Sequence, residues 1–269
     1  MIDINEIEKA VPTDGNTYMG HDGLLHCKKC QGARETVIEV FGKTRTVKCI
    51  CDCMAAEREA GKKQARLHEL ERQRKICFAE SNMYQWTFAN DDGNNPEIMR
   101  AMKNYVKNFP KFREEGKGLL LYGQVGTGKS YMAACIANAL IDMGNTALMT
   151  NFARLTNTIQ GMFEGKQQYI DSLNRYSLLI IDDLGAERKS EFMQEMVFNI
   201  IDARYRSGLP MIITTNLPIE EIKKPFDIGN SRIYDRILER CHPIAVTGSS
   251  KRRAKLKETF AETKEMLGL

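Results

Sequence analysis

The chain has 269 residues, of which 42% are hydrophobic and 28% are charged, and its formal net charge at pH 7 is +4. This length suffices for one or two domains with a real core, and the composition is typical of a soluble globular protein. No apolar run approaches the length of about 18 residues that a membrane-spanning helix needs, and the first residues lack the basic and apolar regions of a signal peptide. We therefore expect a cytoplasmic protein without membrane contact, whose mild positive charge permits nucleic-acid contact without indicating it.

The N-terminal region combines a weakly patterned start with a cluster of cysteines. Residues 1–25 show little periodicity, and we expect them to be loosely structured. Five of the eight cysteines then follow, on either side of a stretch rich in Val, Ile and Thr that predicts a hairpin over residues 35–47 with its turn at Gly42-Lys43. In a reducing compartment, thiols clustered in this way indicate a metal site rather than disulfides.

This layout is typical of a small zinc ribbon. The candidate Zn²⁺ ligands are Cys27, Cys30, Cys49, Cys51 and Cys53. Four of the five would bind, the spacing leaves open whether Cys51 or Cys49 completes the set, and His26 is a weaker reserve. Because so few residues cannot bury a stable core unaided, zinc would supply most of the local folding free energy.

A charged segment without proline follows the cysteines. Residues 54–76 are rich in Ala, Glu, Lys, Arg and Gln, and Leu67 and Leu70 would share one face of a helix. This pattern predicts a solvated linker helix, and we interpret its basic residues as a water-exposed face rather than a binding patch.

Beyond this linker, apolar strands alternate with helices. Helices are predicted over residues 97–112, 131–140, 152–163 and 191–206, and strands over 119–122, 146–150, 178–181, 211–215 and 244–246. Fully apolar strands separated by helices predict an α/β fold with a five-stranded parallel sheet covered on both faces. We therefore divide the chain into a cysteine-rich domain over residues 1–55, a helical linker over 56–80 and an α/β domain over 81–269.

A glycine-rich stretch joins the first of these strands to its helix. The P-loop pattern is matched by Gly123-Gln124-Val125-Gly126-Thr127-Gly128-Lys129-Ser130, in the strand-to-helix context that the pattern requires. The glycines would let backbone N–H groups point at an anion, and the helix dipole adds positive potential at the same place. We expect this loop and Tyr131 to bind ATP or ADP, with Lys129 on the β- and γ-phosphates and Ser130 on Mg²⁺.

Polar residues follow two later strands of the predicted sheet. Asp182 and Asp183 come directly after the strand at 178–181, and Asn216 comes directly after the strand at 211–215. Carboxylates at a strand end beside a P-loop are typical of a Walker B motif, so we expect Asp182 to help hold Mg²⁺ and Asp183 to orient and deprotonate the attacking water. The Asn216 amide would contact both the γ-phosphate and this water.

Taken together, these motifs resemble those of the AAA+ class of ATPases. Their order is the P-loop, Asp182-Asp183, Thr214-Thr215-Asn216 and then the helical sequence over residues 231–240. Within that class the chain is similar to the DnaC/DnaI-like loaders of the replicative helicase and to the IstB-like ATP-binding family, over roughly residues 80–255. The cysteine-rich region followed by a charged helix resembles the helicase-binding domain of DnaI-type and phage-type loaders.

The resemblance implies a function, partners and further site residues. It implies an ATPase that binds a replicative DnaB-type hexameric helicase, helps to deposit it on single-stranded DNA and self-associates into a ring or spiral. The arginine that acts on a neighbouring subunit falls on Arg236, and the second-sensor arginine falls on Arg252 or Arg253. DNA contact is expected on the helix at 152–163, near Arg154 and Lys166. The class commonly has Glu where this chain has Asp183, which suits slow hydrolysis and a timed switch.

Two other functions stay open. One is a transposition helper ATPase with the same core, although the zinc-ribbon pattern disfavours it. The other is a zinc-dependent adaptor whose nucleotide site only stabilises the fold. ATP turnover that rises with single-stranded DNA would distinguish an enzyme from an adaptor.

Overall fold

The computed structural model describes residues 15–79, 81–186, 190–248, 250, 259–260 and 263–268. It divides the chain into two compact units, Met1–Glu69 and Leu70–Leu269. The helices and strands are numbered below in chain order. None of the helices in the described ranges combines the length and apolar character needed to cross a membrane.

The first unit contains two short antiparallel hairpins. Strand β1 (Thr17–Met19) pairs with β2 (Leu25–Cys27), and β3 (Glu35–Val40) pairs with β4 (Lys43–Lys48). The first hairpin lies where we predicted loose structure. The sequence did not reveal it, because a strand of three residues carries no periodic signal of its own. The turn of the second is Phe41-Gly42, one residue earlier than predicted, with φ values of 53° and 70° that match a tight two-residue hairpin turn.

Helix α1 (Asp52–Phe78) begins inside the cysteine cluster and has 27 residues, somewhat more than the predicted linker helix. Good helix formers and the absence of proline account for its length. The boundary between the two units falls within this helix. Its last residues, Cys77 and Phe78, are buried in the core of the second unit.

The second unit is built on a five-stranded parallel sheet. Its strands are β5 (Gly118–Tyr122), β6 (Ala147–Asn151), β7 (Leu178–Leu184), β8 (Met211–Thr215) and β9 (Cys241–Ala245). They lie in the order β6-β7-β8-β5-β9. The predicted α/β fold with a parallel five-stranded sheet is therefore confirmed. Because β8 lies between β5 and β7, the residues that follow these three strands meet at one edge of the sheet.

Helices cover both faces of this sheet. They are α2 (Pro96–Lys107), α3 (Phe109–Glu115), α4 (Lys129–Asp142), α5 (Phe152–Gln160), α6 (Lys166–Ser172), α7 (Glu191–Ser207), α8 (Ile219–Lys223) and α9 (Ile228–Arg240). Successive residues of a strand point to opposite faces, so Leu121 and Ile180 pack with α2 and α4, whereas Leu120 and Ile181 pack with α5, α7 and α9. The central strands β5, β7 and β8 are largely apolar, because each of them contributes residues to both cores.

Two element boundaries differ from the prediction for identifiable reasons. The single helix predicted over residues 97–112 is two helices that break at Asn108, because Pro110 has no N–H to continue the helical hydrogen bonds. Strand β9 begins at Cys241 rather than at 244, and it contains Pro243. An edge strand tolerates a proline whose missing N–H faces away from the sheet.

Candidate functional site

The glycine-rich loop between β5 and α4 has a backbone that only glycine can form. Gly123, Gly126 and Gly128 have φ values of 144°, 85° and 102°. A Cβ on Gly123 would lie 2.3 Å from the carbonyl oxygen of Val246, and one on Gly126 would lie 2.2 Å from Ser250 Oγ. The loop therefore curls tightly at the N-terminus of α4, where backbone N–H groups and the helix dipole favour an anion.

Lys129 lies at the mouth of this loop and is 5% exposed. Its Nζ donates hydrogen bonds to the carbonyl oxygens of Gly123 and Gln124, at 2.9 and 2.8 Å, and to Asn216 Oδ1 at 2.8 Å. The structure thus brings the P-loop lysine into direct contact with the amide that follows β8. A phosphate bound in the loop would compete with Asn216 for the same ammonium group.

Asp182 and Asp183 lie in the last part of β7, and they differ in exposure. Asp182 is half-buried and Asp183 is exposed. Burial raises the pKa of the Asp182 carboxyl above its usual value, while hydrogen bonds from Thr214 and Ser130 oppose the rise. The two predicted Mg²⁺ ligands, Ser130 and Asp182, therefore lie in contact.

A cavity of about 380 Å³ opens beside these groups. The predicted site residues that line this cavity are Val125, Gly126, Gly128, Lys129, Ser130, Tyr131, Asp183 and Asn216. A larger cavity of about 570 Å³ lies among α7, α8 and α9, and within the described part of the chain none of the predicted site residues lines it. We take the smaller cavity as the candidate nucleotide site, because Lys129, Asp183 and Asn216 line it together with the P-loop at the start of α4.

Trp86, Asn90 and Asp92 also line the smaller cavity, and sequence reasoning missed all of them. Their segment is attached to α4, since the Tyr131 hydroxyl donates to the Thr87 carbonyl at 2.8 Å and the Trp86 and Tyr131 rings lie 5.9 Å apart. The one available signal was that Trp86 is the only tryptophan of the chain. Residues so far ahead of the P-loop reach it only through the fold.

The residues present fit a nucleotide with Mg²⁺. The loop supplies backbone donors at a helix start, Lys129 supplies a fixed positive charge, and the Ser130 hydroxyl and Asp182 carboxylate are the hard oxygen ligands that Mg²⁺ prefers. The side chain of Thr127 donates to the Gln124 carbonyl at 3.0 Å and holds the loop closed on itself.

Arg236 lies on α9, and in the described chain it is not among the residues that line this cavity. Its Nε donates to Asp202 Oδ1 at 2.8 Å, a second nitrogen donates to the Arg232 carbonyl, and its guanidinium lies 4.7 Å from the centre of the Phe198 ring. Arg232, one helical turn earlier, is exposed. Arg252 and Arg253 lie outside the described residues.

The first unit gathers four thiols at one point. The Sγ atoms of Cys27, Cys30, Cys51 and Cys53 all lie within 4.8 Å of one another. Tetrahedral zinc with Zn–S bonds of about 2.3 Å separates its sulfurs by about 3.8 Å. The Cys27–Cys53 and Cys51–Cys53 sulfur pairs lie 3.5 and 3.4 Å apart, so this donor set fits Zn²⁺.

The structure separates these four from the other two candidates. Cys49 Sγ donates to the Ala33 carbonyl at 3.3 Å, and His26 Nε2 pairs with the Asp22 carboxylate at 2.9 Å. Backbone N–H groups lower the pKa of the Cys27 thiol to about 6, whereas the hydrogen bond with Cys51 and desolvation raise that of Cys53 to about 12. A divalent cation among the four sulfurs would favour the thiolate form of each.

A model of the family described as IstB-like ATP binding protein matches residues 34–259. The chain is 25% identical over 193 residues to the replicative helicase loader DnaI of Bacillus subtilis (strain 168), a match that covers 66% of this chain and 62% of that protein. It is 27% identical over 143 residues to the replicative helicase loader DnaC of Escherichia coli (strain K12), covering 52% of this chain and 57% of that protein.

A solved structure of DnaI is similar as well, with a TM-score of 0.54 and 25% sequence identity over 67% of this chain and 99% of that one. The chain covers less than two thirds of the length of both curated relatives.

Proposed function

The chain belongs to the family of IstB-like ATP binding proteins, and on that premise we propose that it is an ATP-dependent loader of a replicative helicase. The observation that carries the proposal is the convergence of Lys129, Asp182, Asp183 and Asn216 on one edge of the sheet, in a chain whose curated relatives are helicase loaders. The fold and the family motifs agree with the resemblance drawn from the sequence.

We propose that the P-loop binds ATP and that hydrolysis acts as a timed switch. Lys129 would leave Asn216 for the β- and γ-phosphates, and this frees the Asn216 amide to contact the γ-phosphate and the attacking water. Mg²⁺ held by Ser130 and Asp182 would offset the charge of the phosphates. The exposed carboxylate of Asp183, which lines the cavity, would orient the water and accept its proton.

We further propose that the domains predicted from the sequence divide the work. The cysteine-rich region over residues 1–55 would bind Zn²⁺ and the helicase, residues 56–80 would form the linker, and residues 81–269 would form the ATPase. The four clustered thiols support a rigid metal-built module, since small domains commonly need such a constraint to present a fixed surface.

Single-stranded DNA would bind near α5 and α6. Arg154 and Phe163 are exposed, and Lys166 begins α6, so this region combines positive charge with an aromatic ring free to stack on a base. Phe152, by contrast, is 1% exposed and belongs to the core. Arg236 would act on the nucleotide of a neighbouring protomer in a ring or spiral.

The test is a loading reaction with the full-length chain. The replicative helicase of the same organism is mixed with circular single-stranded DNA, and the helicase retained on the DNA is measured with ATP, with ADP and without nucleotide. A loader increases retention in an ATP-dependent way, and Lys129→Ala removes the increase. Binding of the helicase without any nucleotide dependence would indicate the zinc-dependent adaptor instead.

A transposition helper ATPase with the same kind of core is the remaining alternative. Both curated relatives described above are helicase loaders, which favours the loader. A chain that hydrolyses ATP and binds DNA, but never binds the helicase, would support the helper.

A further inference from the structure

Thr214 lies in β8 directly opposite a break in the pairing of the sheet. Strand β7 pairs with β8 through Ile181 and Ile213, and the next pair is Leu184 with Thr215. Two residues of β7, Asp182 and Asp183, therefore stand opposite the single residue Thr214. This is the arrangement of a β-bulge, in which the extra residue loses its regular ladder hydrogen bonds.

The side chain of Thr214 makes the contacts that the ladder lacks. Its hydroxyl donates to Asp182 Oδ1 at 2.6 Å and accepts a hydrogen bond from the Asp183 N–H at 2.9 Å. Thr214 is fully buried, and Asp183 has a φ of 57°, in the left-handed region that side-chain-bearing residues rarely adopt. One hydroxyl thus contacts both acidic residues at the point where the backbone is strained.

We propose that Thr214 is a positioning residue for ATP hydrolysis. Its donated hydrogen bond orients the Asp182 carboxylate, which with Ser130 would hold Mg²⁺. Its accepted bond holds the Asp183 backbone in the conformation that presents that carboxylate to the cavity. The inference rests on the proposed ATPase function, and it adds a residue outside the predicted catalytic set.

The chemistry of the position explains the residue type. A hydroxyl donates and accepts at once, whereas a buried apolar side chain of the same shape would leave the Asp183 N–H and one Asp182 oxygen without this partner. Serine would keep both bonds, and valine would keep the shape and lose both. These two substitutions separate hydrogen bonding from packing.

The experiment compares Thr214→Val, Thr214→Ser and Thr156→Val in the full-length protein. Thr156 is equally buried and its hydroxyl donates to the Phe152 carbonyl at 2.8 Å, so Thr156→Val removes a similar bond in α5. We measure the melting temperature, the dissociation constant for ATP without Mg²⁺, the Mg²⁺ concentration that gives half-maximal turnover, and kcat.

For Thr214→Val we expect kcat to fall about tenfold or more and the Mg²⁺ requirement to rise, because hydrogen bonds to charged groups are the stronger kind. ATP affinity without Mg²⁺ should stay within about twofold, since the P-loop contacts are unchanged. Thr214→Ser should restore most of kcat. Thr156→Val should have a lower melting temperature and an unchanged kcat.

Thr214→Val with the kcat and Mg²⁺ requirement of the parent would overturn the proposal. Equal losses of kcat in Thr214→Val and Thr156→Val would also overturn it, because they would show a general loss of stability. If Thr214→Val does not fold, Thr214→Ser tests the positioning role instead. Because serine keeps both hydrogen bonds, a kcat of Thr214→Ser below that of Thr156→Val would contradict the role. A parent protein that binds ATP without hydrolysing it contradicts the proposed ATPase instead.

Discussion

Asp183 is the residue at which local strain and chemistry coincide. It is a non-glycine residue with a φ of 57°, and its carboxylate lines the nucleotide cavity. Such a conformation costs about 1–3 kcal/mol and persists only where the surroundings impose it. Lys129 shows the complementary case, since its charge is buried and satisfied by three oxygen acceptors.

We expect substitutions of these two residues to impair different steps, ATP binding for Lys129 and turnover for Asp183. Lys129→Ala should weaken ATP binding at least tenfold, because charge-assisted hydrogen bonds are worth about 1.5–3 kcal/mol each. Asp183→Asn should bind ATP normally and lose about 10²- to 10⁴-fold in kcat, because the Asp183 carboxylate acts only on the attacking water. Asparagine tolerates a positive φ as aspartate does, so the backbone is preserved. Binding is followed by fluorescence titration and turnover by phosphate release; turnover at the parent rate in Asp183→Asn would refute the role of this base.

At the level of strands, helices and loops, two of the proposed roles depend on where a segment lies in the fold. The cysteine cluster is assembled from the residues around β2 and from the start of α1. The loop between α5 and α6 carries Phe163, which is fully exposed. Each segment has a matched control elsewhere in the chain.

For the cysteine cluster, we predict one Zn²⁺ per chain. Cys51→Ser should lose the metal and unfold the first unit, whereas Cys49→Ser should keep it, since Cys49 donates to a carbonyl and lies outside the cluster. Nucleotide binding should survive in both variants, because the second unit has its own core. Mass spectrometry measures the metal content, and hydrogen exchange measures the unfolding of the first unit. Freshly purified protein without zinc would contradict this expectation.

For the loop after α5, we predict a role in DNA binding. Phe163→Ala should weaken affinity for single-stranded DNA about fivefold or more, because stacking on an aromatic ring is worth about 1–3 kcal/mol per base. Phe226→Ala is the control, since Phe226 is equally exposed and lies between α8 and α9. Binding is measured by fluorescence anisotropy at two salt concentrations. Equal affinities for the two variants would argue against this placement.

At the scale of the whole molecule, the proposed self-association predicts that Arg236 acts on the nucleotide of a neighbouring protomer. Arg236 is held by Asp202, which also pairs with Arg206 at 2.6 Å, and it stacks on Phe198. A trans-acting role requires Arg236 to exchange these contacts for the phosphate of a neighbouring protomer. Asp202 is therefore the natural control for a purely structural role.

We expect Arg236→Ala to bind ATP and to lose about 10³- to 10⁵-fold in turnover, which is the usual contribution of an arginine finger. Mixing it with Lys129→Ala should restore part of the activity, because each variant retains the half that the other lacks. Asp202→Asn should lower the melting temperature with a smaller effect on kcat. The readout is steady-state ATPase activity across mixing ratios, and a failure of complementation together with an Asp202→Asn defect as deep as that of Arg236→Ala would assign Arg236 a structural role.

Parts of the site that are contiguous along the chain could be predicted from the sequence. The P-loop is a strand, a turn and a helix in direct succession, so the pattern from Gly123 to Ser130 predicts its own geometry. The five apolar strands likewise predicted the parallel sheet that the structure confirms. Local order along the chain is sufficient for such features.

Contacts between residues that are far apart along the chain could not be predicted in this way, because they depend on the tertiary fold. The strand order places β8 between β5 and β7, and this alone brings Asn216 to Lys129 and Thr214 to the two aspartates. In the first unit, the local fold likewise places Cys51 rather than Cys49 in the thiol cluster. The physical reason is that side-chain direction and strand neighbours follow from the packing of the whole sheet and its helices, which no short stretch of sequence encodes.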